Sequence, residues 1–125
     1  MNIAIEKKNI WIWGVGAAGK WAADNITSNI KGFIDSGAAK QNIKYNNLSV
    51  YTPDKAIELI NTDDLILVTV LDIQDVIAVI ESKFKNIEWS ALGEFITDQK
   101  ADQNWTGESD EFIEYTLKAV ELCHK

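Results

Sequence analysis

One hexapeptide constrains this chain more than any other part of it. Gly14-Val15-Gly16-Ala17-Ala18-Gly19 is a literal G-x-G-x-x-G. By itself the pattern is weak, but its surroundings strengthen it in three ways. The preceding run, Asn9-Ile10-Trp11-Ile12-Trp13, is short, apolar, and β-branched or aromatic, and reads as a strand buried on both faces of a parallel sheet. The following run, with Ala17, Ala18, Trp21, Ala22 and Ala23, predicts a helix whose small-residue face can lie close to that sheet. A second short strand, Lys31-Gly32-Phe33-Ile34-Asp35, then ends in an acid 21 residues after Gly14.

Strand, glycine loop, helix and acid at this spacing are the physical requirements of a dinucleotide site. Gly14 permits the tight turn, Gly16 lets a pyrophosphate approach the backbone where a Cβ would obstruct it, and Gly19 lets the helix pack on the strand. The first turn of the helix offers N–H groups and the positive end of the dipole to phosphates. Asp35 is suited to accept hydrogen bonds from ribose hydroxyls, and its charge disfavours a 2′-phosphate, so NAD is expected over NADP unless Lys40 or Lys44 contributes. The same glycines also serve strand–helix packing in a fold that binds nothing, because fold does not fix function.

Further along, Ser36 to Asn47 is polar and reads as a loop, and Leu48-Ser49-Val50-Tyr51 as a short strand. Thr52-Pro53-Asp54 starts a helix with an N-cap, a proline at the first position and an acid in the first turn, running to about Ile60. Leu65 to Leu71 is a strand without polar alternation and belongs at the centre of a parallel sheet. Asp72 follows it as a helix cap, at the strand end where doubly wound sheets hold their ligands. Ile73, Val76, Ile77 and Ile80 recur at helical spacing to about Phe84, Ile87-Glu88-Trp89 reads as a short strand, and Asp98 to Glu108 is polar. Glu111 to Leu122 is amphipathic and reads as a closing helix. The alternation predicts an α/β, doubly wound, mostly parallel sheet.

Length and composition bound the function. The 125 residues are expected to make a single domain spanning 1–125. All twelve basic residues are Lys and the net charge is −7, so bidentate Arg clamps are absent and no basic stripe suggests nucleic acid. No apolar run approaches the roughly eighteen residues of a membrane span, and no signal peptide is visible at Met1 to Lys8, so a cytoplasmic location is expected. A single Cys, Cys123, and a single His, His124, form no metal-ligand spacing and no positioned nucleophile pair.

The segments Ile10 to Gly19, Lys31 to Ser36, Leu48 to Tyr51, Pro53 to Ile60 and Leu65 to Leu71 together resemble the Rossmann-like domain of bacterial polysaccharide-biosynthesis proteins. That domain opens nucleotide-sugar dehydratases, some sugar transferases, and sugar acetyltransferases. The resemblance runs from Ile10 to about Phe84, and its most specific element is the glycine loop together with Gly32-Phe33-Ile34-Asp35. It implies a three-layer α/β/α fold of about five strands that binds NAD or a nucleoside-diphospho-sugar. The expected contacts are Gly14, Val15, Gly16, Ala17, Ala18, Gly19, Asp35, Ser36 and Asp72. Those relatives continue into a catalytic domain and this sequence does not, while Trp89 to Lys125 matches nothing in them. Two arrangements stay open, a stand-alone module and the first domain of a longer parent, with a homodimer or a partner catalytic domain as the candidate partners beside the nucleotide ligand.

Two other readings stay open. One is a small NAD-dependent oxidoreductase or epimerase-dehydratase, or an S-adenosylmethionine methyltransferase, with a substrate pocket built after Trp89. The other is a ligand-free protein-interaction domain. Tyr51-Thr52-Pro53-Asp54-Lys55 has the Y-x-x-x-K spacing of short-chain dehydrogenases, but Pro53 places it at a strand-to-helix junction rather than on one helix face. Trp11 and Trp13 alternate with Ile and share one sheet face. Core packing is their expected role, with Trp13 next to Gly14 as a candidate to flank a bound base or sugar.

Overall fold

In a computed structural model, the protein is described at residues 9–26, 29–37, 43–70 and 73–101 (backbone only for 97–101), and at 114, 117, 118, 121 and 122. Six strands form one sheet: β1 (Asn9–Trp13), β2 (Asn29–Ile34), β3 (Lys44–Tyr45), β4 (Leu48–Tyr51), β5 (Leu65–Val68) and β6 (Glu88–Ala91). The helices with described bounds are α1 (Ala17–Asn25), α2 (Pro53–Leu59), α3 (Ile73–Lys83) and α4 (Leu92–Ala101). The strand order is β3-β4-β2-β1-β5-β6, and every pairing is parallel except β3 with β4. The chain winds outward from β1 in one direction through β2 and β4, then returns to the other side of β1 with β5 and β6. That is the doubly wound, Rossmann-like arrangement, with its switch point at β1.

Alternation along the strands divides the core into two layers. Ile10 and Ile12 of β1 point to a cluster with Ala18 and Ala22 of α1 and Leu92, Phe95 and Ile96 of α4. Trp11 and Trp13 point the other way, to Ala56 of α2 and to Val76 and Ile80 of α3. Helices therefore cover both faces, and β1 and β5 are buried throughout, apart from the half-buried Asn9. The apolar run of β5 that lacks alternation is explained by this double coverage.

Local chemistry accounts for the less obvious positions. The buried Trp11 indole needs a partner for its N–H; it donates to the Asp64 carboxylate at 3.0 Å, which also accepts from Asn61 N at 2.9 Å. A Cβ on Gly32 would lie 2.7 Å from the Tyr51 ring and 3.2 Å from Ser49 O. That ring packs edge-on against Trp11 at 5.7 Å. The glycine of Gly32-Phe33-Ile34-Asp35 is thus required by a neighbouring strand's aromatic. At α2 the Thr52 hydroxyl accepts from Lys55 N at 3.1 Å with Pro53 at the first helical position, as its sequence predicts. Lys83 at the end of α3 ties back to Asp54 of α2.

Three expectations are corrected. Part of the polar stretch Ser36–Asn47, expected to be a loop, pairs as β3, a short antiparallel addition to the five parallel strands. Asn46 and Asn47 turn the β3–β4 hairpin with φ of 52° and 64°, the left-handed conformation that Asn tolerates in tight hairpins. Tyr45 anchors that hairpin. Its hydroxyl donates to Asp24 of α1 at 2.7 Å, and its ring packs against Phe33 with Lys20 Nζ 5.6 Å above it. The hydrogen bond to Asp24, more than anything else, raises the Tyr45 phenol above its ordinary pKa. Second, β5 stops at Val68, short of Leu71. Third, a helix, α4, covers 92–101 where the sequence reads as polar from Asp98. The closing helix expected at Glu111–Leu122 is helical at 114, 117, 118, 121 and 122, and Leu122 packs against the first cluster. Among the described residues, no helix is long and apolar enough to cross a membrane.

Candidate functional site

The glycine loop lies where β1 ends between its two neighbours, β2 and β5, and main-chain bonds hold it from both sides. Gly14 N donates to Ile34 O of β2 at 2.9 Å, and Thr69 N, just past β5, donates to Trp13 O at 3.0 Å. The Thr69 hydroxyl, buried at 4% exposure, also donates to Trp13 O at 2.8 Å, with Gly14 O at 3.4 Å. Ligands of doubly wound sheets occupy the crevice outside the carboxyl ends of the strands at such a switch point.

The three glycines meet different demands. Gly14 has φ +109°, a conformation L-residues rarely adopt, and a Cβ there would come 2.7 Å from Thr69 Oγ1 and 2.8 Å from Val70 Cγ1. A Cβ on Gly19 would lie 1.9 Å from Gly14 O, so only glycine lets α1 sit this close to the strand end. Gly16 has φ −80°, open to any residue, and a Cβ on it would meet nothing within 4 Å. Among the described residues, neither backbone conformation nor packing requires a glycine at 16.

Gly16 is also the N-cap of α1. Its carbonyl accepts the first helical bond from Lys20 N at 3.0 Å, while among the described residues no side chain caps the helix start and no acid lies in the first turn. An α-helix leaves these first donors without intrahelical partners, and the dipole places its positive end there. Gly16 and Ala17 are exposed. The side chains of Val15 and Ala18 turn into the core at 5% and 3% exposure, which leaves their main chain as what they can offer a ligand.

Asp35 stands directly after Ile34, whose carbonyl holds Gly14, so the acid and the glycine loop adjoin through one peptide. Its N–H donates to Tyr51 O at 2.9 Å, extending the β2–β4 ladder by a residue, and its Oδ1 accepts from Gly37 N at 2.7 Å. That local turn orients a half-buried carboxylate. Ser36 is exposed beside it. Asp72 and Lys40 lie outside the described residues, as do Cys123, His124 and Trp105.

Other candidates separate from the loop. Trp13 is 4% exposed and packs edge-on against Phe84 at 5.9 Å, in the cluster under α2 and α3, so its ring is core and does not flank a ligand. Tyr51 packs on Gly32, while Lys55 pairs with Glu58 at the surface; their Y-x-x-x-K spacing joins nothing. Among the described residues, no group of three or more His, Cys, Asp or Glu could hold a metal ion. The residue that sequence reasoning passed over is Thr69, a lone hydroxyl just past an apolar strand, which breaks no period and so leaves no signal.

The residues present fit a pyrophosphate-bearing nucleotide. Open space over Gly16, an uncapped helix start and an oriented carboxylate at the end of β2 are the complementary parts. The sequence matches no protein-family model and no curated protein. Among solved structures, the fold is similar to a UDP-D-quinovosamine 4-dehydrogenase from Vibrio fischeri. That likeness has a TM-score of 0.53 and 19% identity, covering 74% of this chain and 86% of that one. It is also similar to RSP, a Rex-family repressor, with a TM-score of 0.53 and 13% identity, covering 77% of this chain and 59% of that one. At these identities the likeness is one of fold, and the fold is Rossmann-like.

Proposed function

We propose that this chain is a nucleotide-binding module for NAD or a nucleoside-diphospho-sugar, serving bacterial polysaccharide or glycoconjugate synthesis. The observation that carries the reading is the glycine at 16. Gly14 and Gly19 are required by the chain's own packing, whereas Gly16 faces open space at an uncapped helix start. A glycine there is accounted for by a ligand that approaches the backbone closely. The pyrophosphate would take the first-turn N–H groups of α1, and Asp35 the ribose hydroxyls. With no Arg in the chain, these backbone donors supply what a guanidinium supplies elsewhere.

Similarity to a UDP-sugar dehydrogenase supports the nucleotide-sugar arm, and the resemblance of the glycine loop and Gly32-Phe33-Ile34-Asp35 to polysaccharide-biosynthesis proteins supports the pathway. Similarity to a repressor indicates that the fold is not tied to catalysis. The one His and one Cys fall at 124 and 123, so the module is read as binding its ligand while another domain or chain supplies the sugar chemistry.

The test is a thermal-shift panel with NAD, NADP, UDP- and CDP-sugars, CoA and S-adenosylmethionine, on the wild type and on Gly16→Val. At a hundred times the dissociation constant a ligand stabilises by roughly 2.7 kcal/mol, several degrees in Tm for this size. Gly16→Val is expected to stay folded without ligand, with a Tm only a few degrees lower because Val caps a helix less well than Gly, and to lose the shift. No shift with any compound overturns the reading and favours a ligand-free interaction domain.

A further inference from the structure

We infer that Thr69 is a positioning residue that sets the glycine loop for ligand, so that the binding site includes a side chain from β5's end which never touches the nucleotide. The inference rests on the nucleotide-site reading above. Thr69 places both of its donors on one acceptor: its N–H reaches Trp13 O at 3.0 Å and its hydroxyl reaches the same oxygen at 2.8 Å. The hydroxyl also lies 3.4 Å from Gly14 O. Gly14 O is in turn the atom that leaves no room for a Cβ on Gly19, and Thr69 Oγ1 is 3.2 Å from that same Cβ position. Thr69 Oγ1 is also the atom that a Cβ on Gly14 would strike. One buried hydroxyl therefore bounds the loop at its first and last glycines. The path of the chain between them, Val15 to Ala18, decides where the first-turn N–H groups of α1 stand.

The strand itself does not need this hydroxyl. Thr69 is 4% exposed, and Val would fill the same volume. The Trp13 carbonyl would keep the Thr69 N–H bond, so the parallel ladder between β1 and β5 remains intact. What Val removes is the second donor and its weaker reach to Gly14 O. A buried hydroxyl has to be satisfied, and a purely structural hydroxyl could take any nearby carbonyl. This one takes the carbonyl at the root of the loop.

The experiment uses the full chain as wild type, Thr69→Val and Thr69→Ser, the last keeping the donor. Dissociation constants for NAD and UDP-N-acetylglucosamine are measured by calorimetry. Amide hydrogen exchange of the free protein is followed at Gly14, whose N–H bonds Ile34 O, and at Lys20, whose N–H bonds Gly16 O. Core amides of Ile12 and Phe33 report whether each variant is folded. Thr69→Val is expected to weaken binding about five- to tenfold, the scale of one hydrogen bond. It should speed exchange at Gly14 and Lys20 while leaving Ile12 and Phe33 protected, and Thr69→Ser should restore both. Wild-type affinity in a folded Thr69→Val overturns the inference. Should the wild type bind neither compound and shift with no member of the thermal panel, the nucleotide reading fails by itself and exchange decides the loop-setting role. Faster exchange at Gly14 and Lys20 in Thr69→Val, reversed by Ser, then sustains that role, and wild-type exchange refutes it.

Discussion

Gly16 and Gly19 are chemically identical and physically opposite. At Gly19 a methyl group would stand 1.9 Å from a backbone oxygen, and backbone cannot yield as a side chain can. Gly19→Ala is therefore expected to destabilise by at least about 2 kcal/mol, read as a drop of several degrees in Tm without ligand. Gly16→Ala should cost less than about 1 kcal/mol, the scale of a poorer N-cap, since among the described residues nothing lies within 4 Å of the new methyl. Equal Tm losses in the two variants would show that α1 does not sit on the strand end as described. The spacing of these glycines and of Asp35 was readable from residues alone, because backbone freedom and close approach leave a compositional mark. Thr69 was not readable. A hydroxyl at the end of Leu65-Ile66-Leu67-Val68 disturbs no period, and its importance lies in a carbonyl 56 residues away. Trp13 has the core role expected of it: the alternation that puts Trp11 on one face sends Trp13 to that face too, onto Phe84, and adjacency to Gly14 does not make it a ligand contact.

At the scale of elements, α2 is the best specified by its own sequence. Its hydroxyl cap, N-terminal proline and first-turn acid act within a few residues of one another, so no tertiary partner is needed to place its start. Thr52→Ala removes the acceptor for Lys55 N and should cost about 1 kcal/mol, measured by urea unfolding with an unchanged m-value. No loss would mean that packing of Ala56 alone defines the helix. Two elements escaped the sequence for different reasons. Strand β3 has two residues, too few for any period, and exists because Tyr45 finds Asp24 and Phe33 across the fold. The Asn46-Asn47 pair announced a turn, but only the tertiary contact makes a hairpin of it. Helix α4 was legible in principle: Leu92, Phe95 and Ile96 stand at i, i+3 and i+4 and are all buried. The polar residues from Asp98 onward masked that short apolar stripe.

The whole molecule poses an electrostatic question that no single residue answers. The chain carries −7 and its proposed ligand is an anion. In a protein that holds phosphate with clustered cations, added salt weakens binding, because exposed attractions are screened. Here the proposed attraction is different in kind. The donors are main-chain N–H groups at the start of α1, acting at contact distance, while the nineteen acidic residues repel from farther away across the surface. Screening acts most strongly on charges separated by more than a Debye length, roughly 10 Å at 0.1 M salt. Raising ionic strength should therefore remove more repulsion than attraction. The dissociation constant for a UDP-sugar is expected to stay level or tighten between low salt and physiological ionic strength, followed by calorimetry at constant pH. A steep loss of affinity would mean that lysine side chains hold the phosphates, with Lys20 beside the helix start the first to replace. A flat or tightening profile would place the binding charge in the backbone of α1, which is how a chain without arginine can recognise a pyrophosphate against its own net charge.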